Sequence, residues 1–478
     1  MPKPIAKQAP TRKRAKGTVA KKPAKVTGRS TAVRTYHSAV TFLNSRVNYE
    51  RMLRPGYTHA HFNLSRMLRL LAQLGNPHKE LDAIHVAGTK GKGSTCHMVA
   101  AMLQQAGYKV GLYTSPHLVE LRERIVINGQ MISEAEFARQ MARVARVVKR
   151  LEKDGPTYFD ILTAVALLHF RDQKVDYVVL ETGLGGRLDS TNVCKPIACG
   201  ITSISFDHMA QLGPTLEKIA EEKAGIFKPG VTVISAPQPT SVKKVLRAAA
   251  ERVGCKLRIL GDDIEFSHRF ESSRTSGPQN RVCMTTPTTC FDHLHVPLLG
   301  EHQAHNCGVA LGIVDALRED GLDVTTQDAI DGLGKVRVQG RLETIRDLPL
   351  TVVDAAHNAA SIAALMRSLG QNFNYDSMVV IFGCAADKDI DGMLNQLRLG
   401  ADKVIFTNIS NPRSADPYEL HARFQEMTQK MAQVAPTLTE AYRIATNCVS
   451  RDDLICVTGS IYLVGLAKQQ LVGPQAVI

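Results

Sequence analysis

From residue 84 onward, short apolar runs rich in Val and Ile alternate with amphipathic stretches of about 10–15 residues, the rhythm of a parallel sheet covered by helices. The runs predict strands at Ala83–Ala87, Tyr177–Leu180, Cys199–Ser203 and Val231–Ser235. A later series is predicted at Leu350–Val353, Met378–Phe382, Lys403–Thr407 and Leu454–Val457. Ahead of the first strand, Phe42, Leu43, Leu64, Met67, Leu68 and Leu71 recur at helical spacing across Ser38–Leu74. Further helices are expected at Ser94–Gln105, closed by Gly107, and at His302–Leu317 and Thr326–Leu333. Between the two strand series, Asp262–Leu299 is rich in Thr, Ser and Pro and predicts short strands and loops. The fold class is α/β, and Gly334–Gly340 marks the boundary between its two sheets.

In open α/β sheets, ligands bind outside the carboxyl ends of the strands. The first strand leads into Gly88-Thr89-Lys90-Gly91-Lys92-Gly93-Ser94-Thr95. Glycines let backbone N–H groups face a polyphosphate, the helix that follows adds its positive end, and Lys92 can reach the β- and γ-phosphates. The pattern G-x-x-x-x-G-K-[ST] is broken twice, by Val86 at the first Gly and Gly93 after the Lys. The strand at 177–180 ends in Glu181, a carboxylate that needs a cationic partner such as Mg²⁺ beside phosphates, or an arginine such as Arg187. Other predicted strands deliver Asp207-His208, Asp354 with His357-Asn358, Asp387-Lys388-Asp389 and Thr458-Gly459-Ser460 to the same rim.

Charge and cysteine usage narrow the picture further. The formal charge is +14, but residues 1–34 carry eleven Lys and Arg and no acid, leaving +3 for the rest of the 478-residue chain. That tail lacks the apolar residues to build a core and is expected to be a disordered, solvated extension. An electrostatic arm for anionic partners or a transit peptide are its other readings. The ten cysteines form no C-x-x-C pair, which predicts buried free thiols in a reducing cytoplasm, not a disulfide framework or zinc site. No apolar run is long enough to span a membrane.

The ordered motifs resemble the folylpolyglutamate synthase/dihydrofolate synthase family of the Mur ligase superfamily. The runs that carry the resemblance are His85–Thr95, Tyr113-Thr114-Ser115-Pro116-His117, Glu123-Arg124-Ile125, Leu180–Asn192, Asp207-His208, Glu222-Lys223-Ala224-Gly225-Ile226, Asp354-Ala355-Ala356-His357-Asn358 and Val457-Thr458-Gly459-Ser460. They extend from about Ser38 to the C-terminus and leave only the basic tail outside. The resemblance implies a Mur-ligase-like P-loop ATPase domain with a mainly parallel sheet over 35–338 and a smaller Rossmann-like glutamate-ligase domain over 339–478. The resemblance also implies an active site between them.

Residue by residue, the resemblance makes Thr89, Lys90, Gly91, Lys92, Gly93 and Ser94 the phosphate loop, with Asn306, Arg341 and Asp354 as further ATP contacts. Ser115 and Glu181 match ligands of a first Mg²⁺ and His208 a ligand of a second. Lys223 matches a lysine that is carbamylated into an anionic oxygen ligand, which requires a neutral amine; read alone, it is a solvated lysine at a helix end. The cofactor set leaves room for a K⁺ ion. His357 falls near the terminal phosphate, and Lys92, His208, Lys223 and His357 form the catalytic group. Lys388 and Ser460 match positions that hold the incoming glutamate, although read alone they are an exposed lysine and a helix N-cap. Tyr158 and Phe159 offer flat surfaces to a pterin, or pack in the core. Asp160, where relatives commonly carry Glu, and Asp189 offer polar contacts.

These parts imply a cytoplasmic, monomeric, ATP- and Mg²⁺-dependent ligase that joins L-glutamate to dihydropteroate or to folates through an acyl phosphate, with no membrane or specific nucleic-acid partner. Two alternatives compete with it. Another Mur-type amino-acid ligase is disfavoured by the Gly183–Asn192 match. A basic-tailed nucleic-acid binder with a non-catalytic ATPase fold is disfavoured by intact Lys92, Glu181, His208 and Lys223.

Overall fold

The computed structural model describes residues 33–49, 63–151, 155–273 and 277–472. Nearly all of the basic tail expected over 1–34 lies outside them. The helical stretch ahead of the first strand is two helices, Tyr36–Asn44 and Leu64–Gln73, and most of the segment between them also lies outside.

The first sheet has eight strands: β1 (Ala83–Ala87), β2 (Val110–Tyr113), β3 (Ile125–Ile127), β4 (Gln130–Met131), β5 (Tyr177–Glu181), β6 (Pro196–Ile201), β7 (Thr232–Ser235) and β8 (Lys256–Ile259). Their order is β4-β3-β2-β5-β1-β6-β7-β8, and all neighbours from β2 to β8 run parallel. Helices cover both faces, so β1 is buried at every position, His85 included. On one face the helices Lys92–Gln105 and Glu301–Glu319 bury Met98, Leu103, Val309 and Ile313. On the other, the helix Tyr158–Asp172 buries Ile161, Leu162, Val165 and Phe170. The chain crosses from β1 to β2 in one direction and later returns to β6 on β1's other side. A crevice therefore opens at the carboxyl end of β1, beside β5 and β6.

The segment Asp262–Leu299 departs from expectation. Instead of short strands and loops, it forms an antiparallel sheet of β9 (Glu265–Ser273), β10 (Gly277–Thr285) and β11 (Cys290–Val296), two of them nine residues long. Its Thr- and Ser-rich composition belongs to a one-sided sheet. In β11 the buried residues are Phe291, Leu294 and Val296, with polar residues between them facing out.

The second sheet comprises β12 (Glu343–Asp347), β13 (Leu350–Asp354), β14 (Met378–Phe382), β15 (Lys403–Phe406), β16 (Met431–Val434) and β17 (Leu454–Thr458), in the order β12-β13-β17-β14-β15-β16. Only β12 runs antiparallel to its neighbour. Seven of the eight predicted strands agree with the observed ones to within a residue, whereas β6 begins three residues before the expected Cys199. The loop after β2 meets the second sheet directly. Leu118 packs onto its apolar layer, and a Cβ on Gly465 would lie 2.0 Å from the Leu118 carbonyl oxygen.

Candidate active site

The phosphate loop is built by a tight approach. The helix starts at Lys92, two residues earlier than expected, with Gly91 as its N-cap at φ +87°. A Cβ on Gly91 would lie 2.0 Å from Asn306 Oδ1, so only glycine lets the loop pack on that side chain. Asn306 is itself fixed by donating to Gln303 Oε1 at 2.9 Å. Thr89 Oγ1 donates to the Ser205 carbonyl at 3.1 Å and ties the loop to the segment after β6. Burial pulls the Lys90 ammonium down to about 8. Ser94 is buried in the first helical turn.

Two lysines converge on one carbonyl. Lys92 Nζ donates to Gly88 O at 3.2 Å, and Lys223 Nζ donates to the same oxygen at 2.7 Å. Lys223 ends the helix Leu216–Ala224, yet it is only 3% exposed. The solvated helix-end reading is therefore wrong, because the helix is turned so that its last turn faces the loop. Burial first, and the neighbouring Lys92 charge second, lower the Lys223 ammonium to about 7.

Glu181 closes β5 and is buried, accepting the Ser115 backbone N–H on Oε2 at 2.9 Å. Burial raises its carboxyl, partly offset by Lys92 and by that hydrogen bond. Arg187, its alternative partner, pairs instead with Glu222 at 2.7 Å. Ser115 and His208 both line the cleft. The Glu181 carboxylate and the Ser115 hydroxyl are oxygen donors of the kind Mg²⁺ takes, and the buried Lys223 amine stands beside the same loop.

The far wall comes from the second sheet. Arg341, His357, Lys388 and Ser460 line the same cleft as Ser115, Phe159 and His208. Asp207, which follows β6, connects the two sides. Its Oδ1 accepts from Lys388 Nζ at 2.9 Å and from the His208 backbone N–H at 2.9 Å, while its Oδ2 lies 3.6 Å from His357 Nε2. Burial would raise the Asp207 carboxyl, but His357, His208 and Lys388 more than offset it and hold it far below the usual carboxylate range. Lys388 is only 14% exposed, not the exposed lysine of its plain reading. Ser460 is the N-cap of the helix Ile461–Leu471, accepting from Tyr462 N. Asp354 accepts backbone N–H groups from Leu342 at 3.0 Å and Ala356 at 2.8 Å, so its carboxylate fixes the turns carrying Arg341 and His357.

At the remaining end the pterin expectations divide. Phe159 lines the cleft, pressed so close to Gly183 that a Cβ there would meet its ring at 2.6 Å. Tyr158 does not offer a flat surface to the cleft. It is buried in the core with the Arg124 guanidinium over its ring, because the helix turn that points Phe159 outward points its neighbour inward. Asp160 reaches the cleft wall but is already engaged. It closes a capping box with Thr157 and accepts from Ser190 Oγ at 2.6 Å. Asp189 is buried and accepts from Thr191 N at 3.0 Å and Leu184 N at 2.9 Å, which shapes the glycine turn after β5.

Among the residues not singled out from sequence, Arg66 and Arg413 line the cleft and Asp207 bridges its two walls. Asp207 stood in a recognised motif but was overshadowed by His208. Arg413 follows β15, whose carboxyl end also brings Asn411 to the cleft. No local pattern marks Arg66.

Two family models match the chain: the Mur ligase middle domain over residues 86–314 and the Mur ligase, glutamate ligase domain over 340–461. The dihydrofolate synthase/folylpolyglutamate synthase of Bacillus subtilis is 33% identical over 441 residues, covering 91% of this chain and 99% of its own. The folylpolyglutamate synthase of Lacticaseibacillus casei is 33% identical over 413 residues, covering 85% and 94%. Among solved structures, E. coli FolC in complex with DHPP and ADP superposes with a TM-score of 0.80 at 28% identity, covering 92% of this chain and 98% of that one. Mycobacterium tuberculosis folylpolyglutamate synthase complexed with ADP and AMPPCP gives 0.81 at 30% identity, covering 91% and 98%.

Proposed function

The chain belongs to the dihydrofolate synthase/folylpolyglutamate synthase family of Mur-type, ATP-dependent ligases, and from that premise we propose that it joins L-glutamate to dihydropteroate and to the glutamyl end of tetrahydrofolates. The observation that carries this reading is the single cleft shared by the phosphate-loop sheet and the second sheet, bridged by Asp207. We divide the chain into an ATP-binding domain over 35–338 and a glutamate-ligase domain over 339–478.

The Gly88–Ser94 loop and Lys92 cradle the phosphates of ATP, with Asn306 and Arg341 toward the nucleoside and Asp354 holding Arg341 in place. Ser115 and Glu181 would hold one Mg²⁺, and His208 with carbamylated Lys223 a second. Bound Mg²⁺ spreads the polyphosphate charge that otherwise repels an anionic nucleophile. The substrate carboxylate oxygen attacks the γ-phosphorus and ADP leaves, giving an acyl phosphate. The glutamate amine then attacks the acyl carbon, phosphate departs, the ammonium proton is lost and an amide remains. Closure of the two walls excludes water, which would hydrolyse the acyl phosphate.

Lys388 and Ser460 receive glutamate, with Arg413 beside them, and Phe159 supplies the flat face for the pterin. Asp160 and Asp189 shape that end through the contacts they already make. The ligands named for the E. coli relative, DHPP and ADP, support this assignment. One chain supplies every site residue, so we assign a monomer acting in the cytoplasm, where ATP is abundant. Mass spectrometry of the product tests the reading. Dihydropteroate incubated with ATP, Mg²⁺ and glutamate should gain one glutamyl residue for each ADP formed, and an unmodified substrate alongside consumed ATP would overturn it.

A further inference from the structure

We propose that Cys283, Asp292 and His293 form a surface site for a single Zn²⁺ ion, apart from the ligase cleft. None of the three lines that cleft; they sit on β10 and β11 of the three-stranded sheet. In a regular antiparallel pair, consecutive residues point to opposite faces, so Asp292 and His293 would not both reach one partner. Here the register shifts from Val282↔Leu294 to Met284↔Phe291, and Cys283 alone opposes the pair Asp292-His293. This is a β-bulge, a device that re-aims side chains. His293 carries it at φ +51°, a left-handed conformation uncommon for any residue with a Cβ. The Arg281 guanidinium pins the bulge by donating to the His293 carbonyl at 2.8 Å.

The result is three donors of different chemistry drawn together, with the His293 ring presenting Nδ1 to Cys283 and Nε2 to Asp292 Oδ1 at 3.4 Å. Cys283 Sγ lies 3.5 Å from Asp292 Oδ1 and 3.5 Å from His293 Nδ1. One donor atom from each of the three lies within 4.8 Å of the others. A tetrahedral zinc ion, with bonds of about 2.3 Å to sulfur and about 2.1 Å to nitrogen or oxygen, separates its donors by roughly 3.4–3.6 Å. Thiolate, imidazole and carboxylate are the three donor types zinc takes, and three protein ligands leave the fourth position to water. The soft thiolate is the donor that selects zinc here, since sulfur is a poor ligand for the hard Mg²⁺ ion. On binding, the cysteine S–H bond breaks, a Zn–S bond forms and the proton leaves to solvent. With His293 47% and Asp292 76% exposed, the ion exchanges freely with solution.

Co²⁺ is the probe, because a sulfur-to-cobalt charge-transfer band can arise only where cysteine is a ligand, and the ligase cleft offers none. The full-length, reduced protein, with Mg²⁺ and ATP present to fill the cleft, should take up one Co²⁺ with that band and lose the band to added Zn²⁺. Cys283→Ser should abolish it and retain ligase activity. His293→Asn, which tolerates the positive φ, should weaken binding roughly tenfold or more. Cys290→Ser, removing the other thiol of this hairpin, should leave the band unchanged. A wild-type protein without the band, or a band that survives in Cys283→Ser, overturns the proposal; a bare thiol hydrogen-bonded to its neighbours gives the first result.

Discussion

Lys388 Nζ lies 2.9 Å from Asp207 Oδ1, so a lysine delivered by β14 of the second sheet is held by a carboxylate delivered by β6 of the first. The pair is 14% and 10% exposed, and the same carboxylate faces His357. Asp207 therefore fixes side chains of the second-sheet wall while standing on the first-sheet side of the cleft. Asp207→Asn should lower kcat/KM for glutamate by roughly 10–100-fold, since it leaves Lys388 and His357 without their counter-charge. Steady-state kinetics with varied glutamate checks this, and a variant within twofold of wild type speaks against the bridge.

Lys223 should respond to both pH and CO₂. Its amine, buried against Gly88 O and beside Lys92, protonates at about 7 rather than the ordinary 10.5. The neutral amine required for carbamylation thus accumulates as pH rises through 7, and activity should rise with it and fall when CO₂ is stripped from the buffer. Between those two pH values the unfolded chain binds the proton that the folded chain has released, so folding stability should also rise with pH there. Lys223→Ala should reduce turnover to background; near-normal turnover would reject the carbamate role.

Gly91→Ala tests the phosphate loop. The added Cβ would fall 2.0 Å from Asn306 Oδ1 at a backbone φ of +87°, so the loop or Asn306 must move. The KM for ATP should rise about tenfold or more, with a stability loss on the order of 1–3 kcal/mol in thermal melts.

Phe159 and Tyr158 are adjacent in sequence and differ in role. Phe159→Ala should raise the KM for dihydropteroate or tetrahydrofolate roughly tenfold with little change in the KM for ATP, because the ring faces the cleft. Tyr158→Phe keeps the buried ring and should leave both constants within about twofold. Equal effects of the two variants would contradict the division of the pair into wall and core.

Much of this was legible in the sequence, for a physical reason. Strands buried on both faces, such as β1, β5, β14 and β17, read as mainly apolar runs, and polar residues at or after their ends mark the rim. Short strands such as β3, β4 and β16 span too few residues to show a pattern, and β11 hides because only some of its residues are buried. What stayed illegible was orientation. Periodicity cannot say that Lys223 turns inward, that Tyr158 rather than Phe159 enters the core, or that Asp160 is occupied by Thr157 and Ser190. Those outcomes depend on how helices are rotated against the sheet, which is settled by contacts far apart in the chain.

Residues 1–34 hold eleven of the chain's basic side chains, and the cleft residues among the described part of the chain all lie beyond them. Their deletion should leave ligase kinetics within about twofold of the full chain. A larger loss would give the tail a part in catalysis.

ATP should be cleaved only when a pteridine acid and glutamate meet in one cleft. This requirement is tested most directly by phosphate release with ATP and Mg²⁺, comparing dihydropteroate and tetrahydrofolate, each with and without glutamate. Sustained release should require both glutamate and at least one of the two acids. Release independent of glutamate, or none with either acid, would contradict it.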